Sequence, residues 1–145
     1  MSTQSIEQIR NKIKGMGTMR QLDQLAFAEE NGLADSLVQH FMSGRGDLKA
    51  NQLRKVFGAI KLIQRQLEPE IRKDEKVKDK AFDRTTIAPL LVNLAYARGR
   101  KLIPEEFYSI LADCLSQPKL QTNEDFIRVA QFTEAILAYY KFRGG

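Results

Sequence analysis

The stretch NQLRKVFGAIKLIQRQL, residues 51–67, decides the fold class. Its apolar residues Leu53, Val56, Phe57, Ile60, Ile63 and Leu67 recur at i, i+3, i+4 and i+7, the spacing of one buried stripe on an α-helix. Asn51 stands where a capping side chain belongs, and Pro69 is placed to stop the helix. The same period continues outward in both directions. Upstream, Ile6, Ile9 and Ile13 mark a short amphipathic helix. From Thr18 to Phe41, Leu22, Leu25, Ala26, Leu33, Leu37, Val38 and Phe41 form a helical run broken at Asn31-Gly32, where the glycine suits a left-handed cap. A loop over 43–47 follows, and its Arg45-Gly46-Asp47 triplet reads as a chance match to an adhesion motif. Downstream, Ile87 to Ala97 is apolar almost all round, as a central buried helix is. Pro104, Glu105 and Glu106 open another helix with the stripe Phe107, Ile110, Leu111, Cys114 and Leu115, closed by Pro118. Thr122 and Asp125 form a capping box ahead of a long last helix through Phe126, Val129, Ala130, Thr133, Ile136, Leu137 and Tyr140. Strand alternation is absent. The expectation is an all-α, compact helical bundle of about five to six helices in one domain over 1–145, with 1–17 an N-terminal extension and 68–84 a connector.

Composition narrows the function classes. An apolar content of 43% and a charged content of 28% are those of a globular domain, not of a disordered chain. No run nears the roughly 18 apolar residues of a membrane span, so no membrane partner is expected. One cysteine, Cys114, lies in an apolar stripe, and a lone thiol fits a reducing, cytoplasmic setting. One histidine, His40, has no second ligand near it in sequence, so no metal or other cofactor is expected. Phosphate loops, dinucleotide fingerprints and hydrolase elbows are missing, and the acidic pairs Glu105-Glu106 and Glu124-Asp125 stand at helix starts, where the dipole favours them. The expectation is that the chain is not an enzyme.

Charge is distributed unevenly. The net charge is +5, and residues 48–67 alone hold five Lys or Arg and no Asp or Glu. Around that helix Arg54, Lys61 and Arg65 fall within about 40° of one another, away from the core stripe. Lys49 and Lys55 sit near its start. A second group, Arg98, Arg100 and Lys101, follows the apolar helix, and Lys141 lies among aromatics near the end of the chain. Cations without interleaved acids suit phosphates, because each neutralised phosphate releases condensed counterions. The connector 68–84 differs: it holds twelve charges, six of each sign, and reads as a solvated helix extension or a mobile linker in which only Ile71, Val77 and Phe82 are apolar enough to bury.

Three stretches carry a family resemblance. LKANQLRKVF (48–57), LAYARGR (94–100) and FTEAILAYYKF (132–142) with Gly144-Gly145 resemble, in order and spacing, the small subunit of type III-A CRISPR effector complexes, the Csm complexes. The resemblance covers residues 48–145. It implies a non-catalytic helical subunit of a ribonucleoprotein in antiviral defence, stacked in several copies beside other subunits. There it lines the groove that holds the CRISPR RNA–target RNA duplex through sequence-independent phosphate contacts. By motif position Lys49, Gln52, Arg54 and Lys55 would face RNA, followed by Arg98, Arg100, Lys101 and Lys141; Lys61 and Arg65 join on the helical wheel alone. The competing expectation is a helical adaptor that docks an acidic protein partner on its basic helix.

Overall fold

The computed structural model describes residues 4–42 and 48–145. Residues 43–47, expected to form a loop with the Arg45-Gly46-Asp47 triplet, lie outside the described residues. Within them run α1 (Ile6–Gly15), α2 (Gln24–Ala28), α3 (Leu33–Phe41), α4 (Ala50–Lys73), α5 (Ala88–Gly99), α6 (Glu105–Cys114) and α7 (Asn123–Phe142). Since α2 is only 5 residues long, six full helices make the bundle, as the periodicity predicts. No β-strand occurs among the described residues.

The last helix organises the rest. Its capping box forms as expected, Thr122 accepting from the Asp125 N–H and Asp125 reaching back to the Thr122 N–H. Phe126, Val129, Phe132 and Ile136 have no exposed surface. Packed on this helix are α2, α3, α4 and a 3-10 turn over Met19–Gln21. Phe27 meets Phe132 edge to face at 5.4 Å, and Phe41 meets Phe107 likewise at 5.7 Å. At the other end α1 lies on α3 and α6. Ile9 and Ile13 there are wholly buried, so the segment expected as an extension shares the common core.

Several local expectations are corrected. Pro69 does not stop α4, which continues to Lys73. A proline removes one N–H, and on an exposed face the turn survives that loss; the stop comes at Asp74, whose carboxylate takes the Lys76 N–H at 3.1 Å. The N-cap position falls at Lys49 rather than Asn51, and no side chain caps the helix. At the Asn31-Gly32 break the left-handed residue is Asn31, with φ 64°. Gly32 serves a different need, because a Cβ there would lie 2.6 Å from the Ala26 carbonyl oxygen. Of the two readings of the connector 68–84, the helix extension holds as far as Lys73, and specific contacts hold the rest. The Phe82 N–H donates to the Gln121 carbonyl at 3.0 Å, the Asn123 side chain donates to the Val77 carbonyl at 2.9 Å, and Phe82 stacks on Phe126 at 4.8 Å. Finally α5 is not buried all round. Leu90, Leu94 and Ala97 face the core, while Val92 and Tyr96 stand 68% and 57% exposed.

The end of α7 is tied to α3 by an ion pair. Arg143, just past α7, grips Asp35 of α3 with two bonds, Nε to Oδ1 at 2.9 Å and Nη2 to Oδ2 at 2.6 Å. Asp35 has no exposed surface. Burial alone pushes its carboxyl up, but the bonds from Arg143 and from the Asn31 N–H outweigh this and hold it below its ordinary value of 3.8. A carboxyl lowered by folding adds stability that is complete above 3.8 and is lost as the pH falls through the lower folded value. Arg143→Ala therefore lowers Tm at neutral pH, and the gap to the wild type narrows as acid protonates Asp35. Circular-dichroism melts between about pH 7 and pH 2 measure it, and a gap that stays constant contradicts this account.

Candidate nucleic-acid interface

The two basic stretches meet in space. The start of α4 and the turn between α5 and α6 enclose an open cleft of about 690 Å³, to which Lys49, Asn51 and Gln52 contribute from one side and Arg98, Lys101 and Glu105 from the other. Leu102, Ile103 and Pro104 form the apolar part of its wall.

The turn that presents Lys101 is a Schellman motif. The Leu102 N–H reaches back to the Ala97 carbonyl at 2.8 Å and the Lys101 N–H to the Arg98 carbonyl at 3.0 Å. The residue between Arg100 and Leu102 must be left-handed, a place usually filled by glycine, and here Lys101 holds it with φ 58°. The nearby Gly99 has no such need, and a Cβ on it would meet nothing within 4 Å. A lysine at this place carries backbone strain that a glycine would relieve.

The cations of the cleft are not equivalent. Arg98 is bound to Glu105 through Nε at 2.9 Å and Nη2 at 2.6 Å, and it lies 5.0 Å from the centre of the Tyr108 ring. This pairing holds the Glu105 carboxyl below its ordinary value. Arg98 thus builds the wall more than it offers a free charge. Arg100 folds onto Tyr96, giving its hydroxyl a hydrogen bond of 3.0 Å. Lys49 and Lys101 are exposed and have no acidic partner among the described residues.

The remaining predicted residues separate into other places. Gln52 and Lys55 border a shallow crevice between α4 and α5 with Tyr96 and Leu102. Arg54 and Lys61 lie on the other flank of α4, beside α7, where Lys61 pairs with Glu134 at 3.1 Å. Arg65 and Lys141 are exposed and line neither the cleft nor this groove. The expected site is thus two surfaces on opposite flanks of one helix. Sequence reasoning passed over Asn51, which it read as a cap, and the rings Tyr96 and Tyr108, which stand beside Arg100 and Arg98.

Other chemistry is weakly supported by the side chains. Cys114 is fully buried, and burial pushes its thiol up to about 12, far from a reactive thiolate at neutral pH. His40 packs edge-on against Phe41 and faces Glu106 at 3.3 Å. No group of three His, Cys, Asp or Glu that could hold a metal occurs among the described residues. No helix among them is long and apolar enough to cross a membrane.

Comparison with known proteins agrees with the three resembling stretches. No curated protein and no solved structure matches the chain. The model of the family described as Csm2 Type III-A matches residues 26–145, from within α2 through α7, and so takes in both sides of the basic cleft. The chain belongs to the Csm2 family, the small subunits of type III-A CRISPR effector complexes.

Proposed function

We propose that this chain is a non-catalytic RNA-binding subunit that holds the CRISPR RNA–target RNA duplex by its phosphates, with the α4/α5–α6 cleft as the main contact. The observation that carries this reading is the convergence of Lys49 and Gln52 with Lys101, about fifty residues away in sequence, on one open cleft. Lysine ammonium groups and a glutamine amide suit phosphate and sugar oxygens, which position a strand without reading its sequence. Base pairing between guide and target then does the reading. Several copies of the chain, each binding weakly, would hold one duplex firmly within the cytoplasmic complex.

A second contact is favoured by a specific observation. Val92 and Tyr96 leave an apolar face on α5 beside the cleft, and exposed apolar patches rimmed by charge suit protein contacts. This keeps part of the adaptor reading, now as a face for a neighbouring subunit. Val92→Arg is expected to reduce recovery of the chain with the assembled complex while RNA binding by the isolated chain stays unchanged. Recovery equal to the wild type would remove that face from the assembly.

Fluorescence anisotropy with labelled RNA tests the main reading. The Lys49→Glu, Lys101→Glu double variant should lose about tenfold or more in affinity and lower the salt slope by about two, equally for unrelated base sequences. Arg54→Glu should cost less, because it stands on the other flank. Wild-type binding that ignores salt would refute a phosphate-contacting role.

Lys101→Gly separates function from stability. Relief of the left-handed strain, less the added freedom of a glycine in the unfolded chain, should raise stability by up to about 1 kcal/mol. RNA affinity should fall all the same. Thermal melts and anisotropy on the same sample read both, and a variant that is more stable and binds equally well would show that the strain serves something else.

A further inference from the structure

Near the middle of α4 stands Gly58, exposed and flanked by helical residues on both sides. A glycine inside a helix is less stable than an alanine. Nothing among the described residues requires it, since a Cβ built on Gly58 would meet nothing within 4 Å beyond its chain neighbours and its own helix backbone. The open space is a groove of about 170 Å³ between α4 and α7, lined by the apolar Phe57, Ala130 and Leu137 and by Thr133, whose hydroxyl is turned to the Ala130 carbonyl. That is well below the several hundred Å³ of a drug-sized pocket and leaves room for about one flat ring system.

The rim limits what that ring can belong to. Arg54 precedes Gly58 by one turn, on the same face, and has no acidic partner among the described residues. Lys61 follows Gly58 and is shared with Glu134 across the groove at 3.1 Å. From Arg54 the cations continue along this flank to Lys61 at about 10 Å and Arg65 at about 16 Å, measured along the axis. Residues 48–67 contain no Asp or Glu to interrupt the row. Gln64 closes the end of the groove; its Nε2 donates to Glu68 at 3.4 Å, and its side-chain oxygen accepts no hydrogen bond among the described residues. An apolar slot beside a row of cations, ending in an amide, matches a single strand that inserts one base and lays its phosphates along the helix. An acidic peptide would use the row but needs neither the slot nor the amide.

We propose that the α4–α7 groove at Gly58 receives one unstacked base of single-stranded RNA, with its flanking phosphates on Arg54 and Lys61. This rests on the RNA-binding reading but concerns a different surface from the cleft.

The test uses the full chain and a single-stranded RNA carrying 2-aminopurine, whose emission reports unstacking, with anisotropy read in parallel. Wild type should change the emission on binding. Gly58→Leu should abolish that change and lower affinity by about tenfold, the worth of one stacked base, with helicity and Tm at or above the wild type. Gly58→Ala, whose added methyl has open space, should weaken the emission change while raising Tm, and it serves if the leucine disturbs folding. RNA that binds in a Lys49-dependent way, with no emission change and no response to Gly58, overturns the groove and leaves the cleft standing. No RNA binding by the wild type overturns both. Gly58→Leu that blocks assembly with other subunits and leaves RNA binding intact assigns the groove to a protein and overturns the inference.

Discussion

A carboxylate with no solvent contact must find all its hydrogen bonds inside the protein, and Asp125 imposes that demand at the start of α7. One of its oxygens takes the Arg20 N–H at 2.8 Å. The other takes the Gln121 N–H at 3.0 Å and the Thr122 N–H at 2.9 Å. Three backbone segments are therefore fixed around one side chain: the 3-10 turn after α1, the end of the α6–α7 loop and the first turn of α7. The loop in turn receives the connector through the Phe82–Gln121 bond. With α7 set, the helices that pack on it have one arrangement, and α4 acquires two flanks, a groove beside α7 and a cleft beside α5 and α6.

The site follows from how those flanks are charged. Side chains that point at the core are apolar by necessity, and the polar side chains that α4 places on the rest of its surface up to Leu67 are all cations and amides, with Leu62 exposed among them. On the facing turn Arg98 is neutralised by Glu105, so the bidentate pair stiffens the wall while Lys101 supplies free charge. An exposed pair of this kind contributes little to stability, so its value is geometric. On the RNA-binding reading proposed above, in which base pairing chooses the target, shape and charge without base recognition are the useful properties.

Much of this was legible in the sequence, and the failures have physical causes. The stripe of α4 and the Thr122–Asp125 box were readable because each depends on residues within one or two turns. Pro69 misled because the rule against interior proline concerns a hydrogen bond, and an exposed helix tolerates its loss. The apolar run Ile87–Ala97 misled because hydrophobicity reports a need for cover and does not say whether the chain itself provides it; Val92 and Tyr96 are left exposed. The cleft was hidden because it depends on packing α4 against the α5–α6 turn, a contact with no local signature. Its separation from Arg54 and Lys61 was available: Lys49 lies about 140° from Arg54 around the helix, and Gln52 about 180° from Lys61.

The unbroken length of α4 has a metrological consequence. Lys49 and Lys61 are carried on one rod, so their spacing along it, about 18 Å, is set by backbone hydrogen bonds and not by flexible side chains. A strand touching both ends of such a gauge is measured by the protein in units of helical rise. Its phase relative to the subunit is then the same whatever bases it carries.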